Sequence, residues 1–186
     1  MVTKEPIRYR RHIIRTLKTA SGYQARAFRG SNVVGQIQSG DTFDVAVMNV
    51  KRHLDDQAAK FHSQRGFQGF PCAEEVRIAL AQISMNKAQE MMLAAHLAAP
   101  SQILTASQLA AAAGYDDYAV ANRLYGQLGY ALAEELEWTP KETRNGVPVW
   151  TFTLAFDADE QSRAGGLEVK GHWRWRLRPE VVEALS

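Results

Sequence analysis

The chain has 186 residues, of which 46% are hydrophobic and 23% charged, with a net charge of +2. That length suits one ordinary domain, or one domain with a small appendage, and the composition is globular. No apolar run of about 18 residues offers a membrane span, the start "MVTKEPIRYRRHIIRTLK" lacks the apolar core of a secretory signal, and Cys72 alone excludes an internal disulfide. A soluble, cytoplasmic protein is expected.

Charge is unevenly placed. Residues 1–30 carry Lys4, Arg8, Arg10, Arg11, Arg15, Lys18, Arg26 and Arg29 against Glu5 alone, a local charge of +7. Residues 100–186 hold eight bases and twelve acids, a local charge of −4. A polyanion would feel the N-terminal segment first. A solvated basic tail has the same composition.

In chain order, "HIIRTLKT" (12–19) and "YQARAF" (23–28) are predicted strands around the turn Ser21-Gly22, and "NVVGQIQSG" is a third strand ending at Gly40. Asp41 or Thr42 then caps a helix whose apolar face is Phe43, Val47, Val50 and Leu54, at spacings of 4, 3 and 4. Residues 1–62 therefore form a small three-strand-plus-helix unit. "FHSQRGFQGFPC" has no period and is a predicted linker. Two helices follow, one from about Ala73 with Val76, Ala79, Leu80 and Ile83 inward, the other from Asn86 to Pro100. Met85, Met91 and Met92 are expected to fill core gaps.

Thr105 and Gln108 fit a capping box, and Gly114 fits the residue just past a helix end. Asp116 or Asp117 caps the next helix, where Tyr118, Ala121, Tyr125, Leu128 and Leu132 form the predicted buried stripe. Asn122, Arg123, Gln127 and Tyr130 lie off it. Gly126 and Gly129 each cost the helix about 1 kcal/mol, which close contact with another element would offset. Farther on, "VPVWTFTLAF" and "HWRWRLR" alternate, and pair as a predicted two-stranded ribbon; Pro179 then opens a short last helix. Over 71–186 the order helix, turn, helix and ribbon is that of a winged helix-turn-helix. The fold class expected is α+β.

The chemistry these elements carry points to nucleic acid. A recognition helix needs amide and guanidinium groups near its start, because they reach base edges. Asn122, Arg123 and Gln127 have them. Arg174, Arg176 and Arg178 project at every second position from one side of a strand, suited to successive phosphates. Each signal also has a plain structural reading: a helical hairpin that only packs, and an exposed sheet face whose charges discourage edge aggregation. Asp116, Asp117, Glu134, Glu135 and Glu137 make the hairpin locally acidic. No metal-ligand spacing of His or Cys, phosphate loop or nucleophile elbow occurs, so no cofactor, metal or catalytic residue is expected.

The stretches "AEEVRIALAQISMNKAQEMMLAAHLAAP", "ILTASQLAAAAGYDDYAVANRLYGQLGYALAEEL" and "HWRWRLRPEVVEAL" resemble the N-terminal region found ahead of the HNH nuclease in some bacterial restriction-type endonucleases. The likeness covers roughly residues 71–185. It implies DNA recognition, in some cases of modified cytosine, through Tyr115, Tyr118, Asn122, Arg123, Tyr125 and Gln127, of which Tyr125 is expected in the core rather than in contact. No His-Asn-His motif follows in this chain, so nuclease activity is not implied. The expectation is a non-catalytic, duplex-DNA-binding protein linked to bacterial or phage defence, contacting DNA also through Arg10, Arg11, Arg15, Arg174, Arg176 and Arg178. The alternative is an inhibitor or adaptor that docks a protein partner through its acidic C-terminal half.

Overall fold

The structure is a computed structural model and describes residues 5–159 and 173–186. The chain divides into two compact units, Met1–Arg65 and Gly66–Ser186.

The first unit is an antiparallel meander of β1 (Ile7–Tyr9), β2 (His12–Thr19), β3 (Gly22–Arg29) and β4 (Asn32–Gly40), followed by α1 (Phe43–Gln64). Alternation decides its faces. Ile14, Ala25 and Ala27 are buried on one side against Ala46, Val47, Val50 and Leu54 of α1. Thr42 starts the helix by accepting from the Val45 N–H at 3.2 Å. The sheet has one strand more than the three expected. Three residues are too few to show a period, and β1 is held by its pairing with β2 and by the Tyr9 hydroxyl, which donates to Asp55 on α1 at 2.8 Å. The Tyr9 hydroxyl, and then Arg10, hold the Asp55 carboxyl below its usual range.

The second unit begins with α2 (Ala73–Leu80) and α3 (Lys87–Ala98). Then come β5 (Ile103–Thr105), α4 (Ala106–Ala112) and α5 (Tyr118–Leu136). After α5 lie a small hairpin of β6 (Thr143–Arg144) and β7 (Val147–Pro148), a 3-10 turn over Trp150–Thr153, and β8 (Ala155–Asp157). The described chain closes with β9 (Arg174–Leu177) and α6 (Pro179–Leu185). The caps follow the sequence pattern. Thr105 and Gln108 form the capping box, Asp117 accepts from the Ala119 N–H at 2.8 Å, and Gly114 has a positive φ past α4.

Two expectations change here. The ribbon of two strands is a three-stranded antiparallel sheet in the order β5-β9-β8, with Trp175 opposite both Leu104 and Asp157. The alternating "VPVWTFTLAF" also does not run as one strand: Thr151, Phe152, Thr153 and Leu154 are all buried, so polar and apolar side chains do not divide between two faces. The cause is α5. A Cβ at Gly129 would overlap the Trp150 carbonyl oxygen, so the missing side chain lets this backbone lie directly on the helix, where it turns. That contact offsets the cost of Gly129.

One buried polar group joins the layers. His96 on α3 is fully buried; its Nδ1 lies 2.8 Å from the Tyr125 hydroxyl on α5 and its Nε2 2.9 Å from the Trp175 carbonyl on β9. A carbonyl only accepts, so Nε2 carries the proton and Nδ1 accepts from Tyr125. Burial lowers the His96 pKa below 6.5, although the Trp175 and Gln102 backbone groups oppose the shift. Burial also raises the Tyr125 pKa, so its hydroxyl remains a donor. The neutral imidazole belongs to the folded state, and the unfolded chain takes up the extra proton. Stability from this group is therefore fully present above about pH 6.5 and is lost as pH falls toward the lower folded value. Urea unfolding of the second unit's tryptophan signal at pH 8 and pH 5.5 should show this loss, and His96→Gln, less stable throughout, should flatten it.

Candidate nucleic-acid interface

α5 presents its outer face because its inner one is taken. Ala121, Tyr125, Leu128 and Leu132 are buried, as their spacing requires, and Tyr125 is core. Asn122, Arg123 and Gln127 are exposed. Tyr115 in the preceding turn is 39% exposed. Tyr118 departs from the expected buried stripe and is 53% exposed, since the first turn of α5 extends beyond the core.

Tyr118, Asn122 and Gly126 recur every fourth residue and share one stripe, which forms a wall of a cleft of about 970 Å³. Glu142, Arg144, Trp150, Phe152 and Trp173 line it from the other sides. Asn122 thus borders this cleft, whereas Arg123 and Gln127 are not among its lining residues. The aromatic groups support one another: Phe152 meets Trp175 edge-on at 5.2 Å, and Tyr130 meets Trp150 edge-on at 4.9 Å. Sequence periodicity held no signal for this cleft, because its far walls come from the irregular stretch after α5.

The arginines of β9 do different things. The Arg174 guanidinium is paired with Asp159, with Nε 3.0 Å from Oδ2, and that carboxylate raises its pKa. Arg178 donates from Nε to the Phe152 carbonyl at 2.7 Å and lies 4.2 Å above the Phe70 ring and 5.4 Å from the Trp138 ring. It is built into the packing of the second unit. Arg176 is exposed, 6.0 Å from the Phe156 ring. His172, which the alternation puts in the same strip, lies outside the described residues.

The N-terminal bases are ordered by the sheet. Arg10 pairs with Asp55 at 2.9 Å, beside α1. Arg11 is exposed in the β1–β2 turn. Arg15 is exposed on the sheet face opposite α1, directly across from Arg26, with Arg8 on the same face beside Ile13. The Arg15 guanidinium sits 5.0 Å over the Phe28 ring. Ile13, Leu17, Phe28 and Val33 fill in between these bases by strand parity, with Leu17 and Val33 well exposed. From Pro6 to Gly40 the chain contains Arg8, Arg10, Arg11, Arg15, Lys18, Arg26 and Arg29 and no Asp or Glu. Sequence reasoning misses Arg8 and Arg26 as site residues; strand parity with the Arg15–Arg26 register marks them.

No known protein family, curated protein or solved structure matches the chain. Among the described residues, no three His, Cys, Asp or Glu side chains gather where they could hold a metal ion, and no helix is long and apolar enough to cross a membrane.

The two glycines of α5 should respond in opposite ways. A Cβ at Gly126 meets nothing within 4 Å, so Gly126→Ala should stabilise the protein by about 1 kcal/mol. Gly129→Ala should destabilise it, because the Trp150 backbone must move. Arg178→Ala should cost about 2 kcal/mol by removing its hydrogen bond and its stacking on the rings, while Arg176→Ala should leave the melting temperature unchanged. Thermal and urea unfolding of the four variants checks all of this.

Proposed function

We propose that the chain is a non-catalytic DNA-binding protein that meets duplex DNA with the open face of its N-terminal sheet. The observation that carries this reading is the grouping of Arg8, Arg15 and Arg26 on the open face of the four-stranded sheet, within a segment that holds seven bases and no acid from Pro6 to Gly40. Arg15 directly opposite Arg26 is an unfavourable cross-strand pair in the isolated protein. A row of phosphates would turn that repulsion into attraction. A two-stranded ribbon fits the major groove, and strands read DNA this way in other folds. Ile13, Phe28 and Val33 supply apolar surface of the kind that contacts thymine methyl groups.

The second unit adds support of a different kind. Its order of α3, β5, α4, α5, β8 and β9, with β9 central in the sheet, is compatible with a winged-helix reading, in which α5 would be the recognition helix. Arg123 and Gln127 then carry base-reading chemistry, and Arg176 is the arginine of β9 whose surroundings leave it most available to a phosphate. A modified-base reader in bacterial or phage defence rests on the resemblance to restriction-type recognition regions. The competing reading is a basic protein partner held by the exposed acids Asp116, Asp117 and Glu134.

Duplex binding across a salt series separates the two. Changing Arg8, Arg15 and Arg26 together to Ala should weaken binding to all sequences alike and reduce the log–log salt slope by roughly 0.9 for each phosphate no longer neutralised. These side chains do not enter the core, so the melting temperature should hold or rise as the Arg15–Arg26 repulsion is removed. An unchanged slope would reject the sheet as the DNA surface.

A further inference from the structure

The second unit holds open a cleft that its own packing does not require. Gly129 is explained by the Trp150 backbone lying on it, but Gly126, one turn earlier, has no such neighbour within 4 Å. Glycine inside a helix is costly, and here its effect is to keep the cleft's α5 wall low. Beside it, Tyr118 and Asn122 continue the same wall. Trp150, Phe152 and Trp173 face the cavity from the far side, and Trp173 is 46% exposed, with its ring tilted against Trp175 at 5.4 Å. Glu142 also lines the cleft and brings a carboxylate to its wall.

We propose that this cleft binds a nucleobase. Flat indole surfaces suit a flat heterocycle, because base–aromatic stacking tolerates any base with an exposed ring face. The Asn122 amide offers a donor and an acceptor side by side, the pattern that pairs with a base edge. Glu142 accepts from a ring or exocyclic N–H. A purely aliphatic ligand would leave both polar groups unanswered. The volume, about 970 Å³, lies at the upper end of the usual range for small-ligand sites and accommodates a nucleoside. Asn122 then reads a base inside the cleft rather than the edge of a stacked pair in a groove. The base is supplied by an unstacked nucleotide of a strand or by a free nucleoside, since both present the same ring. The site is independent of the sheet arginines, which act on phosphates.

The probes are the natural deoxynucleosides, titrated into the full chain while tryptophan fluorescence is followed. Trp138, Trp150, Trp173 and Trp175 are the chain's tryptophans and all lie in the second unit, so quenching reports on it alone. At least one nucleoside should quench saturably and without salt dependence. Gly126→Leu fills the cleft without loss of helix propensity and should weaken binding about tenfold or more, with an unchanged or raised melting temperature. Asn122→Ala, at an exposed position, should weaken it too and serves if the leucine variant fails to fold. No saturable quenching by any nucleoside, or undiminished binding in both variants, would overturn the proposal. A duplex with one unpaired base decides the source. Tighter binding than to the paired duplex, abolished in Gly126→Leu, assigns the base to a strand; nucleoside binding without that preference assigns a free nucleoside. Alanine at Arg8, Arg15 and Arg26 changes duplex salt dependence and leaves nucleoside binding intact, so failure of either proposal is seen separately.

Discussion

His96 is the constraint on which the second unit depends. It is fully buried and spends both ring nitrogens on partners far apart in sequence, Tyr125 on α5 and the Trp175 carbonyl on β9. A neutral imidazole with one donor and one acceptor fits that pair in only one tautomer. The three elements are therefore locked in one arrangement, because any slip would leave a buried polar atom unpaired. Everything in the candidate cleft inherits this lock. Tyr125 sets which stripe of α5 faces inward, and so which stripe carries Asn122 and Gly126. Trp175 sits between β5 and β8, packs on Phe152, and anchors the indole cluster at the cleft's edge.

The first unit rests on a simpler rule. Strand side chains alternate, so a strand that buries Ile14 and Thr16 must expose Arg15 and Leu17. The register of β2 with β3 then places Arg26 opposite Arg15, and β1 adds Arg8 to the same face. A cluster of bases that would be an ordinary charged tail in an unstructured segment becomes an ordered surface. Gly35 in β4 has a positive φ and sits where a Cβ would collide with the His53 ring, within the stretch where the pairing with β3 shifts register.

Arginines show why side-chain type alone is a poor guide to role. Arg174, Arg176 and Arg178 are indistinguishable by spacing, yet one pairs with Asp159, one is exposed, and one supports the core by stacking on Phe70 and bonding the Phe152 carbonyl. Guanidinium is weakly hydrated and planar, which lets it pack as readily as it binds phosphate. Which use prevails depends on whether an acid or a ring lies within reach, and those neighbours come from other elements.

What the sequence determined by itself was local. The capping box at Thr105–Gln108, the Asp117 cap, the Gly114 helix end, the stripe from Ala121 to Leu132 and the parity of β2 follow from spacings of two to four residues, where one element's own geometry decides the outcome. The charge of the N-terminal segment was equally legible. Tertiary structure alone decided the rest. β1 is too short to have a period and exists through pairing and the Tyr9–Asp55 bond. The stretch 147–156 alternates like a strand but turns at Trp150–Thr153, because contact with Gly129 outweighs its strand propensity. The cleft draws on α5, on the irregular stretch after it and on β9. Its walls are set by which surfaces meet, and no local pattern records that meeting.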